Sequence, residues 1–235
     1  MLAIFKRELR AYFTGVIGYA FLVIYLAVAG ILFCYTTLFS MSSSVTGFYT
    51  LMLVFSAVAL PLLTMKSFSE ERKTKTEQLL LTAPVSIPQM VIGKFLASYV
   101  VFAGALVFSS LYFLFLIPYA KLKFAVLFGN VVAMLMVGFV FISIGLFVSA
   151  LTENQLSAAI GTIAIILVFL GIGILSSLLP STYWARYILN SLSIFTRFQS
   201  FVNGYFDIAT VVYYLTVGGL FLYLTVRVFD RRRYS

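Results

Sequence analysis

Residues 11–65, AYFTGVIGYAFLVIYLAVAGILFCYTTLFSMSSSVTGFYTLMLVFSAVALPLLTM, form a run of 55 positions without a single Asp, Glu, Lys or Arg. A helix needs ~20 mostly apolar residues to cross ~30 Å of hydrocarbon, so this run is long enough for two crossings. The polar stretch Ser40-Met41-Ser42-Ser43-Ser44-Val45-Thr46-Gly47 divides it, with a first crossing near Gly15–Phe39 and a second near Phe48–Met65. Working outward, Lys94 and Lys121 bracket a third at about Phe95–Ile117, ended by Pro118. Phe124–Leu151 supplies the fourth, Leu156–Leu179 (stopped by Pro180) the fifth, and Ile208–Val226 the sixth. Composition agrees, because 63% of the 235 residues are apolar and only 10% charged, with 25 Phe and 15 Tyr. A soluble surface needs about a quarter charged residues. The fold class is therefore an all-α integral membrane protein with six transmembrane helices.

The net charge of +9 is distributed unevenly. With the N-terminus inside, Lys6, Arg7, Arg10, Lys66, Arg72, Lys73, Lys75, Lys94, Arg227, Arg231, Arg232 and Arg233 fall on the inner side, and Lys121, Lys123, Arg186 and Arg197 on the outer. Twelve against four predicts a cell-membrane protein with both termini cytoplasmic, and explains the basic balance without nucleic acid. Ahead of the first crossing, Leu2, Phe5, Leu9 and Tyr12 share one helical face with Lys6, Arg7 and Arg10 around the rest. That pattern predicts an interfacial helix over residues 1–13, retained because the apolar run behind it far exceeds a signal-peptide core.

Several chemistries are excluded by what the crossings lack. There is no His, one Cys (Cys34), and no ionisable side chain near the middle of any crossing; Glu153 and Asp207 sit at the edges. Proton-driven transport through carboxylates and intramembrane hydrolysis both require such groups at depth. The Ser and Thr residues are expected to bond neighbouring helices or their own backbone. No catalytic residue, metal site or cofactor site is expected in this chain. If it moves a substrate, the energy must come from elsewhere.

Between the second and third crossings, residues 66–93 change character: Lys66-Ser-Phe-Ser-Glu70-Glu71-Arg72-Lys73-Thr-Lys75-Thr76-Glu77-Gln78-Leu79-Leu80-Leu81-Thr82-Ala83-Pro84. A charged helical stretch leads into three leucines and stops at Ala83-Pro84. Such a segment reads as a short amphipathic helix whose leucines either dock on a partner surface or lie back on the bilayer. In the other inner connection, Thr152 and Gln155 have capping-box spacing for the fifth crossing.

Glu70-Glu71-Arg72, Thr76 and Leu79-Leu80-Leu81-Thr82-Ala83-Pro84-Val85-Ser86 together resemble the cytoplasmic loop of type-2 ABC exporter permeases. Phe201-x-x-Gly204, Asp207, Tyr213-Tyr214 and Arg231-Arg232-Arg233 resemble the end of that family's gliding-motility-type branch. Lys75 and Gln78 depart from it, standing where glycine and glutamate are frequent. The resemblance implies a non-catalytic permease subunit, half of a translocation pathway, pairing with a second permease as homodimer or heterodimer. It also implies a coupling helix docked on a separate ATP-binding cassette subunit in two copies, which binds ATP and Mg; this chain has no G-x-x-x-x-G-K-[ST]. The interface implied is Glu70, Glu71, Arg72, Lys73, Thr76, Gln78, Leu79, Leu80, Pro84 and Val85, with leucines as an apolar knob and charges as a rim.

The domain organisation expected is a single transmembrane domain. It comprises the interfacial helix, crossings one and two over 15–65, the coupling loop over 66–93 and crossings three to five over 95–179. An outer connection over 180–207, crossing six over 208–226 and a cytoplasmic tail over 227–235 follow. Aromatics in 180–207 fall at near-helical spacing, which suggests one or two helices dipping into the outer leaflet. The resemblance makes these a re-entrant lid, with Tyr187, Phe198, Phe201 and Tyr205 as a candidate outer gate; an aromatic belt anchoring the bundle is the alternative. A membrane scaffold recruiting a cytosolic partner is the alternative function, and a secondary transporter the next.

Overall fold

The computed structural model describes residues 2–41, 45–76, 86–119, 124–178, 184–202 and 207–234. In chain order the helices are α1 (Leu2–Thr14), α2 (Val16–Phe33), α3 (Val45–Thr64), α4 (Lys66–Lys73), α5 (Ile87–Ser110), α6 (Phe124–Leu151), α7 (Gln155–Leu178), α8 (Trp184–Leu192), α9 (Ile194–Val202) and α10 (Ile208–Tyr234). Two of them change pitch at their ends: α2 widens into a π-turn over Cys34–Phe39, and α5 tightens into a 3₁₀ turn over Leu111–Leu116. Six helices (α2, α3, α5, α6, α7 and α10) are long and apolar enough to cross a membrane.

The crossings follow the charge-free runs, but two boundaries move. Ile87–Gly93, read from the sequence as loop, is the first part of α5, entered through Ser86 with Pro88 in the first turn, where a missing N–H costs nothing. At the other end, Arg227–Tyr234 continues α10 as helix instead of forming a separate tail. Hydropathy falls where lysines and arginines begin, whereas backbone hydrogen bonding continues past that point; the two boundaries need not coincide.

α6 is the centre of the bundle and touches α3, α4, α5, α7, α9 and α10. With no hydrophobic drive between helices in lipid, close approach and interhelical hydrogen bonds hold such a bundle. The α3–α6 contact shows the first: a β-carbon built on Gly145 would lie 2.1 Å from Thr64 Oγ1. Tyrosines show the second. Tyr99 and Tyr112 donate to the Leu135 and Leu26 carbonyls, both at 3.2 Å, and Tyr25 Oη lies 3.3 Å from Ser56 Oγ. Inside the spans, Ser143, Thr162 and Thr225 donate to carbonyls one turn back, which hides their hydroxyls from lipid.

α1 turns into α2 at Gly15, whose backbone is extended (φ −89°, ψ 163°). The corner is tight because Gly18 presses on α1; a β-carbon there would stand 2.3 Å from the Tyr12 carbonyl oxygen. Ile4, Leu9 and Tyr12 pack on the core, while Leu2 is 73% exposed. Glu8 also points inward, because α5 supplies it with a buried cation, described below.

At the connection between α6 and α7 the capping box does not form. Thr152 instead donates back to the Val148 carbonyl at 3.1 Å, and Asn154 Oδ1 accepts the Leu156 N–H at 3.0 Å, making Asn154 the cap. Asp207 caps α10 in the same way, accepting from Ala209 N–H and Thr210 Oγ1 at 3.0 Å each. The outer connection contains two helices, α8 and α9, with Ser193 between them. Ser193 Oγ accepts the Thr196 N–H at 3.1 Å, while Arg197 and Tyr213 bond the last carbonyls of α8 at Ser191 and Leu192. Gly173 is where this elbow seats on α7, since a β-carbon there would meet Ser193 Oγ at 2.5 Å; Gly171 has open space.

Candidate functional site

The basic end of the bundle gathers α1, α4, the start of α5 and the last turns of α6 and α10. Its organising feature is a break in the second crossing at Met65. Pro61 lies one turn earlier, inside α3, and has no N–H to give. The chain then resumes as α4, and side chains of other helices bond the backbone around the joint. Tyr12 Oη donates to the Leu63 carbonyl at 3.2 Å and Lys94 Nζ to the Ser67 carbonyl at 2.7 Å. Ser149 of α6 does the most. Its Oγ accepts the N–H groups of Phe68 and Ser69 at 3.1 Å each and donates to the Met65 carbonyl at 3.1 Å. One hydroxyl has one proton and two acceptor sites, so Ser149 is fully used, serving as an N-cap borrowed from a neighbouring helix.

Ser149→Ala removes the side-chain partner of two N–H groups, while the Met65 carbonyl keeps the Ser69 hydroxyl as a donor. Leaving buried polar groups unsatisfied costs about 1–3 kcal/mol. The expected result is a lower unfolding temperature in detergent, with faster amide exchange confined to α4; unchanged exchange at Phe68 and Ser69 would overturn it.

Lys94 lies seven residues beyond Ile87, in a helix that is otherwise apolar through its first half, and its side chain is only 2% exposed. Its ammonium is 2.8 Å from Glu71 Oε1 and 3.3 Å from Glu8 Oε1, and it stands 5.0 Å from the centre of the Phe68 ring. Arg7 completes the group, 2.6 Å from Glu8 and 3.3 Å from Glu71. Two cations and two carboxylates thus tie α1, α4 and α5 together. Partial burial opposes the Arg7 charge, but its hydrogen bond to Glu8 and the two carboxylates outweigh this and raise its pKa above the ordinary value.

A second tie joins α4 to the end of α6. Arg72 donates to the Leu151 carbonyl at 2.7 Å and pairs with Glu153 at 2.9 Å. Arg232 of α10 donates to the adjacent Ala150 carbonyl at 2.7 Å. Both arginines satisfy carbonyls that a helix C-terminus leaves open and complement its negative dipole end. Phe68 packs against Phe229 with ring centres 4.8 Å apart and planes tilted by 48°, bringing α4 against α10.

Of the four residues read as a charged rim, two make contacts within the subunit. Glu71 and Arg72 hold α4 to its own subunit. Glu70 and Lys73 remain exposed; Glu70 has Lys66 at 3.9 Å, a surface pair of little energetic weight. Thr76 is exposed and donates to the Glu71 carbonyl at 3.3 Å, just beyond Lys75, whose φ of 57° is left-handed. Such a backbone favours glycine, which is the residue frequent there in the permeases this loop resembles. Gln78, Leu79, Leu80, Pro84 and Val85 lie outside the described residues.

At the opposite end, the three candidate gate residues that are described differ in exposure. Phe198 and Phe201 are buried with Ile194 in the core, where α9 meets α6 and α7; Tyr187 is exposed and Tyr205 lies outside the described residues. Near-helical aromatic spacing cannot separate a face turned to the pathway from one turned to the subunit's own core.

Lys94, Glu8 and Ser149 were missed as site residues. Lys94 reads as a flank ending a crossing, and only its place inside α5 reveals that it must be paired. Ser149 has no distinguishing neighbour in the sequence.

A comparison with curated proteins gives no match. A family model described as ABC-2 family transporter protein, however, does match the chain. It matches residues 35–227, well over half of the chain, and the protein accordingly belongs to the ABC-2 family of membrane transporter subunits.

Proposed function

We propose that this chain is the permease half of an ATP-binding cassette exporter of the cell membrane, with both termini cytoplasmic, working with a second permease. A separate ATPase, two copies per transporter, binds ATP and Mg and engages the loop after α4. The narrower assignment to the gliding-motility-type branch rests on the tail motif from Phe201 to Arg233.

The observation that supports coupling is the fixing of α4. It is joined to α6 by Ser149 and Arg72, to α5 by Lys94 and to α1 through Glu71 and Arg7. A helix meant only to reach out for a soluble partner would not need four such attachments. A helix meant to pass movement into the bundle would. Twelve of the sixteen cations fall on the loop-bearing side in the topology deduced from the sequence, which favours its cytoplasmic placement.

Leu80→Asp is the direct test. The charged side chain should abolish co-purification of the ATPase from membranes, with membrane insertion unchanged. Undiminished co-purification would refute the docking assignment, and ATP-dependent flux in reconstituted vesicles separates an exporter from a scaffold.

A further inference from the structure

A cavity of about 470 Å³ opens at the basic end between α1, α2, α4 and α5. Its charged lining is balanced, with Arg7, Lys66 and Lys94 against Glu8, Glu70 and Glu71. The deep part is already committed, since Lys94 is engaged by two carboxylates and a carbonyl. The outer part is not. Lys66 and Glu70 are 3.9 Å apart and well exposed, and the described contacts of Arg7 use only Nε and Nη2.

A second space lies beside the first. Ile17 lines both, and beyond it a cleft of about 250 Å³ runs between α2 and α3 past Phe21, Tyr25 and Phe55. This cleft is apolar and opens toward the lipid side, where Ile24, Val58 and Leu62 are about half exposed.

We propose that the two spaces together bind one aminophospholipid from the bilayer. Its phosphate lies between Arg7 and Lys66, its primary ammonium on Glu70, and one acyl chain in the α2–α3 cleft. The pairing of chemistries selects this occupant. Free phosphate would leave both Glu70 and the cleft unused. An anionic glycerol headgroup has no cation for Glu70, in a pocket that already holds two other carboxylates. Choline carries a cation but no N–H to donate, whereas ethanolamine donates three times. The site requires only that the chain sit in a membrane, so its failure and that of the exporter reading are independent.

The test is native mass spectrometry of the full chain in detergent, with phosphatidylethanolamine, phosphatidylcholine and phosphatidylglycerol of identical acyl chains added in turn. Wild-type protein should retain the ethanolamine lipid about tenfold better than either other, the size of one charge-assisted hydrogen bond. Glu70→Gln should bring ethanolamine down to the choline level. Lys66→Gln should weaken all three lipids, and Ala20→Phe, which narrows the cleft, should do the same with the headgroup preference preserved. Equal retention of the three lipids by the unmodified protein would overturn the proposal, as would an ethanolamine preference that survives Glu70→Gln. The headgroup comparison needs no variant, so it stands even if a substitution prevents folding.

Discussion

Lys94→Met is expected to destabilise the protein by about 3–5 kcal/mol, the usual loss when one partner of a buried ion pair is removed. Methionine keeps most of the apolar stem of lysine and loses only its charged tip, including the contact of the ammonium with the Phe68 ring. What is lost is the cation that holds Glu71 and Glu8 at 2.8 and 3.3 Å. Those carboxylates would then share a half-buried space with Arg7 alone, which can neutralise only one of them. The Ser67 carbonyl would also lose its donor. Thermal unfolding in detergent, followed through the fluorescence of Trp184, the only tryptophan, should show the loss. The double variant Lys94→Met, Glu71→Gln should recover part of it, because Arg7 and Glu8 then remain as a matched pair at 2.6 Å and no carboxylate is left uncompensated. A single variant as stable as wild type, or a double variant no better than the single, would contradict the account.

The second large effect is expected from Gly145→Val. Overpacking a close helix contact costs about 1–3 kcal/mol and sometimes more. Here the obstacle is Thr64, whose Oγ1 and Cβ would lie 2.1 and 2.9 Å from the new β-carbon. The Cβ is fixed to the backbone of α3 and cannot swing aside, so α3 and α6 must separate. Because α4 follows α3 directly and is capped by Ser149 on α6, separation also opens the Ser149 hydrogen bonds. The expected outcome is low yield of folded protein and rapid exchange at Phe68 and Ser69. Gly145→Ala should be milder, and adding Thr64→Ala should improve it only in part, since the 2.9 Å Cβ contact remains. Wild-type stability in Gly145→Val would show that the helices do not touch as described.

How far the sequence could be read depended on the kind of interaction. Crossings announce themselves through charge-free length, and Phe124–Leu151 coincides with α6 at both ends. The helix ahead of the first crossing is legible in its spacing, but nothing in that spacing places Glu8 toward the bundle. Glu8 is inward because Lys94, far away in sequence, is buried. Glu71 and Arg72 read in the sequence as part of a charged rim that also orients the second crossing, without the partners that hold them. Both are helical residues whose neighbours include apolar and charged side chains alike, so periodicity cannot assign their direction. Ser149 was invisible for a different reason. Its role depends on backbone groups around the Met65 joint, and such groups leave no trace in side-chain composition.

The Met65 joint has one mechanical consequence. Sliding α4 along α6 would sever all three Ser149 hydrogen bonds at once, with no spare proton or lone pair to bridge the gap. A load applied beyond Thr74 is therefore carried as a lever would carry it: α4 tilts together with the helices it is fastened to, and the first stroke is a rotation of that block rather than a shear within it.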